Sequence, residues 1–412
     1  MTRARWISLG VLVLLLALLP FVPHGGGDDG AARRAAAPAA PAARTAPVAL
    51  TAGYGRVTPE YRRTIARVVD AGRTVGRVAA TASPRTLVAR TVRCATFEGQ
   101  RYCLGQGWTH LTEAQVQRRT TALVARQSAK PSTRQGTGDL STLNAVRQAA
   151  RMSPQARAAA ETAELTQAAH SVAKVWLLRH QIQGVPLPPH FRALHPEVRA
   201  LTTASGGRAV PAGTAGRSVK HWRDYPDRGV VLNRHHVTEQ RRTYWCGPTS
   251  MQMIAWGWSG TARSQHHWAT KLGTTTSGSA ITSMVSVVNR YTGYDKESYA
   301  GPYITLDISD WSFREWRLLM ARHIVDYRAP VVLHPVLLTQ FYPYLDHDGS
   351  GHFQVGRGYQ KQGTHTPLLS YFEPWNQQRF HPDEPYIPRV QWRNAYRSYR
   401  ANRAHFQHNV GV

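Results

Sequence analysis

Carboxylates and cysteines are scarce in this chain. Its 412 residues hold 24 Asp and Glu against 51 Lys and Arg, so the formal net charge is +27. Such a surface favours anionic neighbours: acidic cell-wall polymers, lipid headgroups or nucleic acid. The basic residues are spread along the chain, however, and neither zinc-finger spacing nor an RNP-type segment is present. Nucleic acid is therefore not the expected partner, and the charge reads as a property of the surface and its setting. Long apolar runs are also missing, apart from residues Trp6 to Leu19. With Arg3 and Arg5 before that run and Pro20 and Pro23 after it, residues 1–24 read as an export signal, since the run is short for a membrane span. Pro23-His24-Gly25-Gly26 offers no clean small-x-small cleavage site, so an uncleaved anchor through residues 6–22 stays open. Either way the bulk of the protein is expected outside the cytoplasm, secreted or at the cell surface.

Three cysteines leave few pairings. Cys94 and Cys103 flank Phe97-Glu98-Gly99-Gln100, a hairpin tip between short strands, and in an exported protein they most simply form a disulfide. Cys246 is then odd and free. A free thiol in an oxidising compartment is a hazard that a chemical use would explain. Gly247 and Pro248 mark a turn into a helix, where Met253, Ile254 and Gly257 recur at helical spacing. A thiol over a helix N-terminus faces unsatisfied N–H groups and the positive end of the dipole, so its pKa is expected to fall towards neutrality.

Hydrophobic residues make up 42% of the chain, with twelve Trp and seventeen Tyr, enough for a buried core. Residues 25–54 are an Ala/Pro-rich linker. Residues 55–200 read as mainly helical. A first helix is capped by Thr58 and presents Tyr61, Ile65, Val68 and Val69 on one face. The hairpin over 92–108 follows, then a capping box from Thr112 to Gln115 with Leu111 and Val116 as a staple. After a polar loop at 128–140 come a helix near 141–151 and a long one from Ser153-Pro154 to Gly184. This region shows no chemistry of its own. It reads as a packing support, with occlusion of a cleft in the manner of a propeptide left open. A Gly-rich linker at 201–220 separates it from a second domain, 221–412. There, helices at 265–272, 278–293 and 313–325 precede strands at 330–333, 352–356 and 367–372, an α+β order.

Within that domain, Gln240…Tyr244-Trp245-Cys246-Gly247-Pro248 is followed in order by Gly278-Ser279, Pro330-Val331-Val332-Leu333, His352-Phe353-Gln354-Val355-Gly356-Arg357-Gly358-Tyr359 and Glu373-Pro374. Over about 230 to 380 this resembles the papain-like cysteine peptidases of the bacteriocin-processing (double-glycine leader) type, and more closely their stand-alone C39-like relatives without a transporter. The resemblance implies a papain-like fold, a Cys-bearing helix packed on an antiparallel sheet. It implies Cys246 as nucleophile, His352 as base and Gln240 as an oxyanion donor beside the Cys246 backbone N–H. The family's histidine-orienting aspartate is replaced here by Glu373, with Asn376 and Asp348 as alternatives. A peptide or other amide is the expected substrate, and no cofactor or metal is expected. His235-His236 and His266-His267 lack acids at ligand spacing, and Asp346 to Gly351 reads as a plain turn. An inactive binding module and an acyltransferase on the same fold are the alternatives.

Overall fold

The computed structural model describes residues 55–73, 79, 81–198, 220–361, 367–375 and 389–412, all within one unit, Leu50–Val412. The expected export signal, the Ala/Pro-rich linker and residues 201–219 of the second linker lie outside the described residues.

Helix α1 (Pro59–Arg73) starts where Thr58 Oγ1 accepts the Tyr61 N–H at 3.2 Å, and it buries the Tyr61, Ile65, Val68 and Val69 face. After α2 (Pro84–Thr91), strands β1 (Cys94–Phe97) and β2 (Gln100–Cys103) pair with Cys94 opposite Cys103, and these two form the disulfide. Glu98 and Gly99 make the turn with φ of 47° and 76°, the left-handed pair that matches the twist of a two-residue hairpin. Strand β3 (Gly107–Thr109) continues the meander. Helix α3 (Glu113–Ala129) begins with the Thr112–Gln115 capping box, and Leu111 and Val116 are both buried beneath it. Ser141 caps α4 (Thr142–Arg151), Ser153 caps α5 (Pro154–Gln183), and Gly184 ends α5 in the left-handed region. The short α6 (Phe191–Leu194) follows.

Beyond residue 220 come β4 (Arg228–Val230), α7 (Cys246–Ser259), α8 (Gln265–Leu272), α9 (Ile281–Tyr291), β5 (Thr305–Leu306), α10 (Phe313–Val325), β6 (Val331–Leu333), β7 (Gln354–Gln360), β8 (Leu368–Phe372), β9 (Arg389–Gln391), α11 (Trp392–Ala401) and β10 (Val410–Gly411). His352 thus stands just before its strand, not in it. The described strands form one sheet in the order β1-β2-β3-β5-β10-β6-β7-β8-β9, with β4 on β7. Pairing is antiparallel except where Trp108 of β3 meets Leu306 of β5 in parallel.

The sheet runs through both 55–200 and 221–412. Strands β1–β3 carry the sheet of the second region outward, and one apolar core includes Tyr61, Trp108, Val175, Ile254, Val332 and Phe353. The cause is pairing. β3 presents a free edge that β5 takes up, and Trp108 loses all its exposure in the process. Residues 389–412 supply β9, α11 and β10, the last lying between β5 and β6. Among the described residues no helix is long and apolar enough to cross a membrane.

Candidate active site

Cys246 is the first residue of α7 and fully buried, so Gly247 and Pro248, expected at the turn into the helix, are its second and third residues. The helix sits deep because Met251, Met253 and Ile254 are buried, and Ser250 Oγ donates to the Phe353 carbonyl at 3.2 Å, tying it to the entry of β7. Gly247 has to be glycine at this contact: a Cβ there would lie 2.5 Å from Ser279 Oγ.

His352 and Glu373 meet because of the β7–β8 register. Val355 pairs with Phe372, which sets Glu373 opposite Gln354 just past the end of β8. Both side chains are fully buried, and His352 Nε2 lies 2.7 Å from Glu373 Oε1. The carboxyl also accepts from Gln354 Nε2 at 2.6 Å, the Trp375 N–H at 2.8 Å and the Tyr344 hydroxyl at 3.4 Å. The Trp375 ring packs edge-on to His352 at 6.5 Å. His352 Nδ1 is buried without a hydrogen-bond partner among the described residues. The imidazole is therefore oriented through one nitrogen and leaves the other available. Asp348 instead accepts from the Thr339 N–H at 2.9 Å and hydroxyl at 3.1 Å, while Asn376 lies outside the described residues.

Gln240 is buried and held by its backbone N–H on the Pro374 carbonyl at 2.8 Å. Its Nε2 donates to the carbonyls of Thr243 at 2.8 Å, Arg242 at 2.9 Å and Thr137 at 3.2 Å. The Cys246 N–H points to the same Thr137 oxygen at 3.3 Å. The two expected oxyanion donors thus converge on one carbonyl, and it belongs to the 128–140 loop of the N-terminal region.

The thiol departs from expectation. Burial pushes the Cys246 pKa well above its usual value; the Phe353 N–H opposes it, Asp139 and Glu373 add to the rise, and the Gly247 N–H opposes it more weakly. The helix terminus does not win, because a fully desolvated anion beside two carboxyl groups costs more than the dipole returns.

A second cluster went unseen in the sequence. Asp139 Oδ1 lies 2.8 Å from His334 Nε2 and 2.9 Å from His405 Nε2, and His334 Nδ1 lies 2.6 Å from Asn409 Oδ1. Burial opposes ionisation of Asp139, but the two histidines hold its carboxyl well below the usual carboxylate range. These three residues are the described set that could hold a metal, with ligand atoms within 4.8 Å of one another; here they contact each other directly. Their positions follow no local spacing, so only tertiary contact joins them.

The site thus holds a thiol at the start of a helix, a buried His–carboxyl pair beside β7 and a glutamine amide near the thiol's N–H. Residues 232–404 match the model of the Peptidase_C39 like family, so this segment of the chain is similar to the C39-like peptidases. No curated protein and no solved structure matches the chain.

Proposed function

We propose that the protein is an exported cysteine peptidase that cleaves extended peptides through a Cys246 thioester. The observation that carries this reading is the buried His352–Glu373 pair, with Nδ1 unpartnered and Phe353, the next residue, against the thiol. In the proposed reaction His352 takes the Cys246 proton as sulfur attacks the substrate carbonyl carbon. Gln240 Nε2 and the Cys246 N–H stabilise the oxyanion. The C–N bond then breaks and His352 returns the proton to the leaving amine. Water, deprotonated by the same imidazole, hydrolyses the thioester and restores the thiol. Glu373 keeps the ring oriented and stabilises its protonated form.

Export is supported by the basic-then-apolar pattern of residues 1–24 and by the Cys94–Cys103 disulfide. The net charge of +27 supports retention on an anionic wall or membrane surface. The test is cleavage of a defined mixture of unfolded peptides, read by mass spectrometry, for wild type, Cys246→Ala and His352→Ala. Products absent from both variants are expected. Products that persist in Cys246→Ala would rule out the thioester, and an inert wild type whose thiol is open to solvent would mark a binding module.

A further inference from the structure

The loop after α3 does not pass over the active site; it passes through it. Residues 131–136 are exposed, and the chain then dips so that Thr137 and Gly138 are buried. On one wall the Ser350 N–H donates to the Gln135 carbonyl at 3.0 Å, and the Thr137 N–H donates to Ser350 Oγ at 3.0 Å. On the other wall the Ser279 N–H donates to the Gly138 carbonyl and the Leu140 N–H donates to the Ser279 carbonyl, both at 2.9 Å. Strand-like bonding on both sides is how clefts hold an extended peptide. Between the walls, the Thr137 carbonyl takes both oxyanion donors.

The walls are cut to admit this chain. A Cβ at Gly278 would lie 2.1 Å from the Gly138 carbonyl oxygen, and one at Gly351 would lie 2.0 Å from Asp139 Oδ2. Gly138 itself has φ +119°, and a Cβ there would lie 2.7 Å from the Tyr244 carbonyl and 2.9 Å from the Cys246 nitrogen. Two residues past the Thr137 carbonyl, the Asp139 carboxyl is clasped by His334 and His405. The segment lies outside 232–404, so the occupant comes from beyond the family-matched part of the chain.

We infer that Gln135–Leu140 is a tethered, substrate-like occupant of the peptide cleft: Thr137 presents its carbonyl where the reacting carbonyl sits, and Asp139 fills a carboxylate subsite built by His334 and His405. The protein is latent while the segment is seated. Peptides that displace it carry glycine directly after the reacting carbonyl and an acidic residue next. The substrate preference rests on the peptidase reading above, whereas the occupancy itself does not. Asp139 of this segment is also one of the groups that raise the Cys246 pKa.

The test is the rate of Cys246 alkylation by iodoacetamide at pH 8 in the full-length protein, with intact mass identifying the labelled species. Gly138→Ala strains the segment and collides with the 244–246 backbone, and the isosteric Asp139→Asn removes its charge. Far-UV circular dichroism selects the variant that remains folded. Labelling at least about tenfold faster than wild type is expected as the closed population falls. Added peptide Arg-Gln-Gly-Thr-Gly-Asp-Leu-Ser should restore protection, and its Asp-to-Asn version should not. Equal labelling of wild type and folded variant would overturn the occupancy, and equal protection by the two peptides would overturn the carboxylate subsite. A variant that labels quickly yet cleaves no peptide leaves the occupancy standing and removes the peptidase reading; peptide cleavage by an unprotected wild type does the reverse.

Discussion

Glu373 carries more of the site than a histidine-orienting role requires. Its two oxygens accept from His352, Gln354, the Trp375 N–H and Tyr344, and the carboxyl itself is fully buried. Glutamate reaches one methylene further than aspartate, and the β7–β8 register takes up that length by placing it opposite Gln354. Glu373→Gln keeps the shape but turns an N–H₂ towards a donor, leaving at least one buried donor unpaired at about 1–3 kcal/mol. Loss of the His352 acceptor is expected to lower kcat/KM about 10²–10⁴-fold, measured on peptides cleaved by the Gly138→Ala protein. Gln354→Leu should lower activity less and reproduce most of the stability loss, because it removes one donor from the buried carboxyl without touching His352.

At the scale of elements, the β1–β2 hairpin is seated by its tip. Glu98 accepts from the Tyr61 hydroxyl of α1 and pairs with His195 Nε2 at 2.7 Å, while its carbonyl accepts from Trp176 Nε1 of α5 at 3.1 Å. His195 Nδ1 lies 2.8 Å from Glu197 Oε1. Burial alone would lower the His195 pKa, but the hydrogen bonds to Glu197 and Glu98 override it and raise it to about 9. A folded-state pKa above the unfolded one means that stabilisation is complete below about pH 6.5 and is lost as pH rises through 9. Thermal melts between pH 6 and 9.5 should therefore show Tm falling by about 2–4 °C over that window. His195→Gln should flatten the profile, and a wild type with no such slope would mean the cluster is not ionised as described.

Across the whole molecule, the last strand is the keystone of the sheet. β10 pairs with β5 through Val410↔Leu306 and with β6 through Gly411↔Val332, joining the β1–β3 half to the β6–β9 half. Val410 and Val412 are fully buried, and Gly411 allows the close approach, since a Cβ would lie 2.8 Å from Val332 Cβ. Deleting residues 410–412 is expected to abolish the single cooperative melt, because β5 and β6 each lose their pairing edge. A truncated chain melting as one transition near the wild-type Tm would show that the halves hold together through α5 and α10 instead.

Local rules account for much of this protein. The α1 face, the Cys94–Cys103 hairpin, the Thr112 capping box, the Gly184 stop and the helices at 265–272 and 313–325 all follow from spacing, caps and turn residues within a few positions. The motif around Cys246, His352 and Glu373 was visible as an order along the chain, and the fold brings His352 onto Glu373. Three things needed the tertiary structure. Strand β10 is two residues long, too short to carry a period, and exists because two edges await it. The Asp139–His334–His405 cluster has no sequence spacing to betray it. The direction of the Cys246 pKa was set by the burial of the thiol and by two carboxyl groups brought in from elsewhere in the chain, against the helix terminus that the sequence displays. Chain order states which groups are present; their solvation and partners are properties of the folded interior, and these decide what the thiol does.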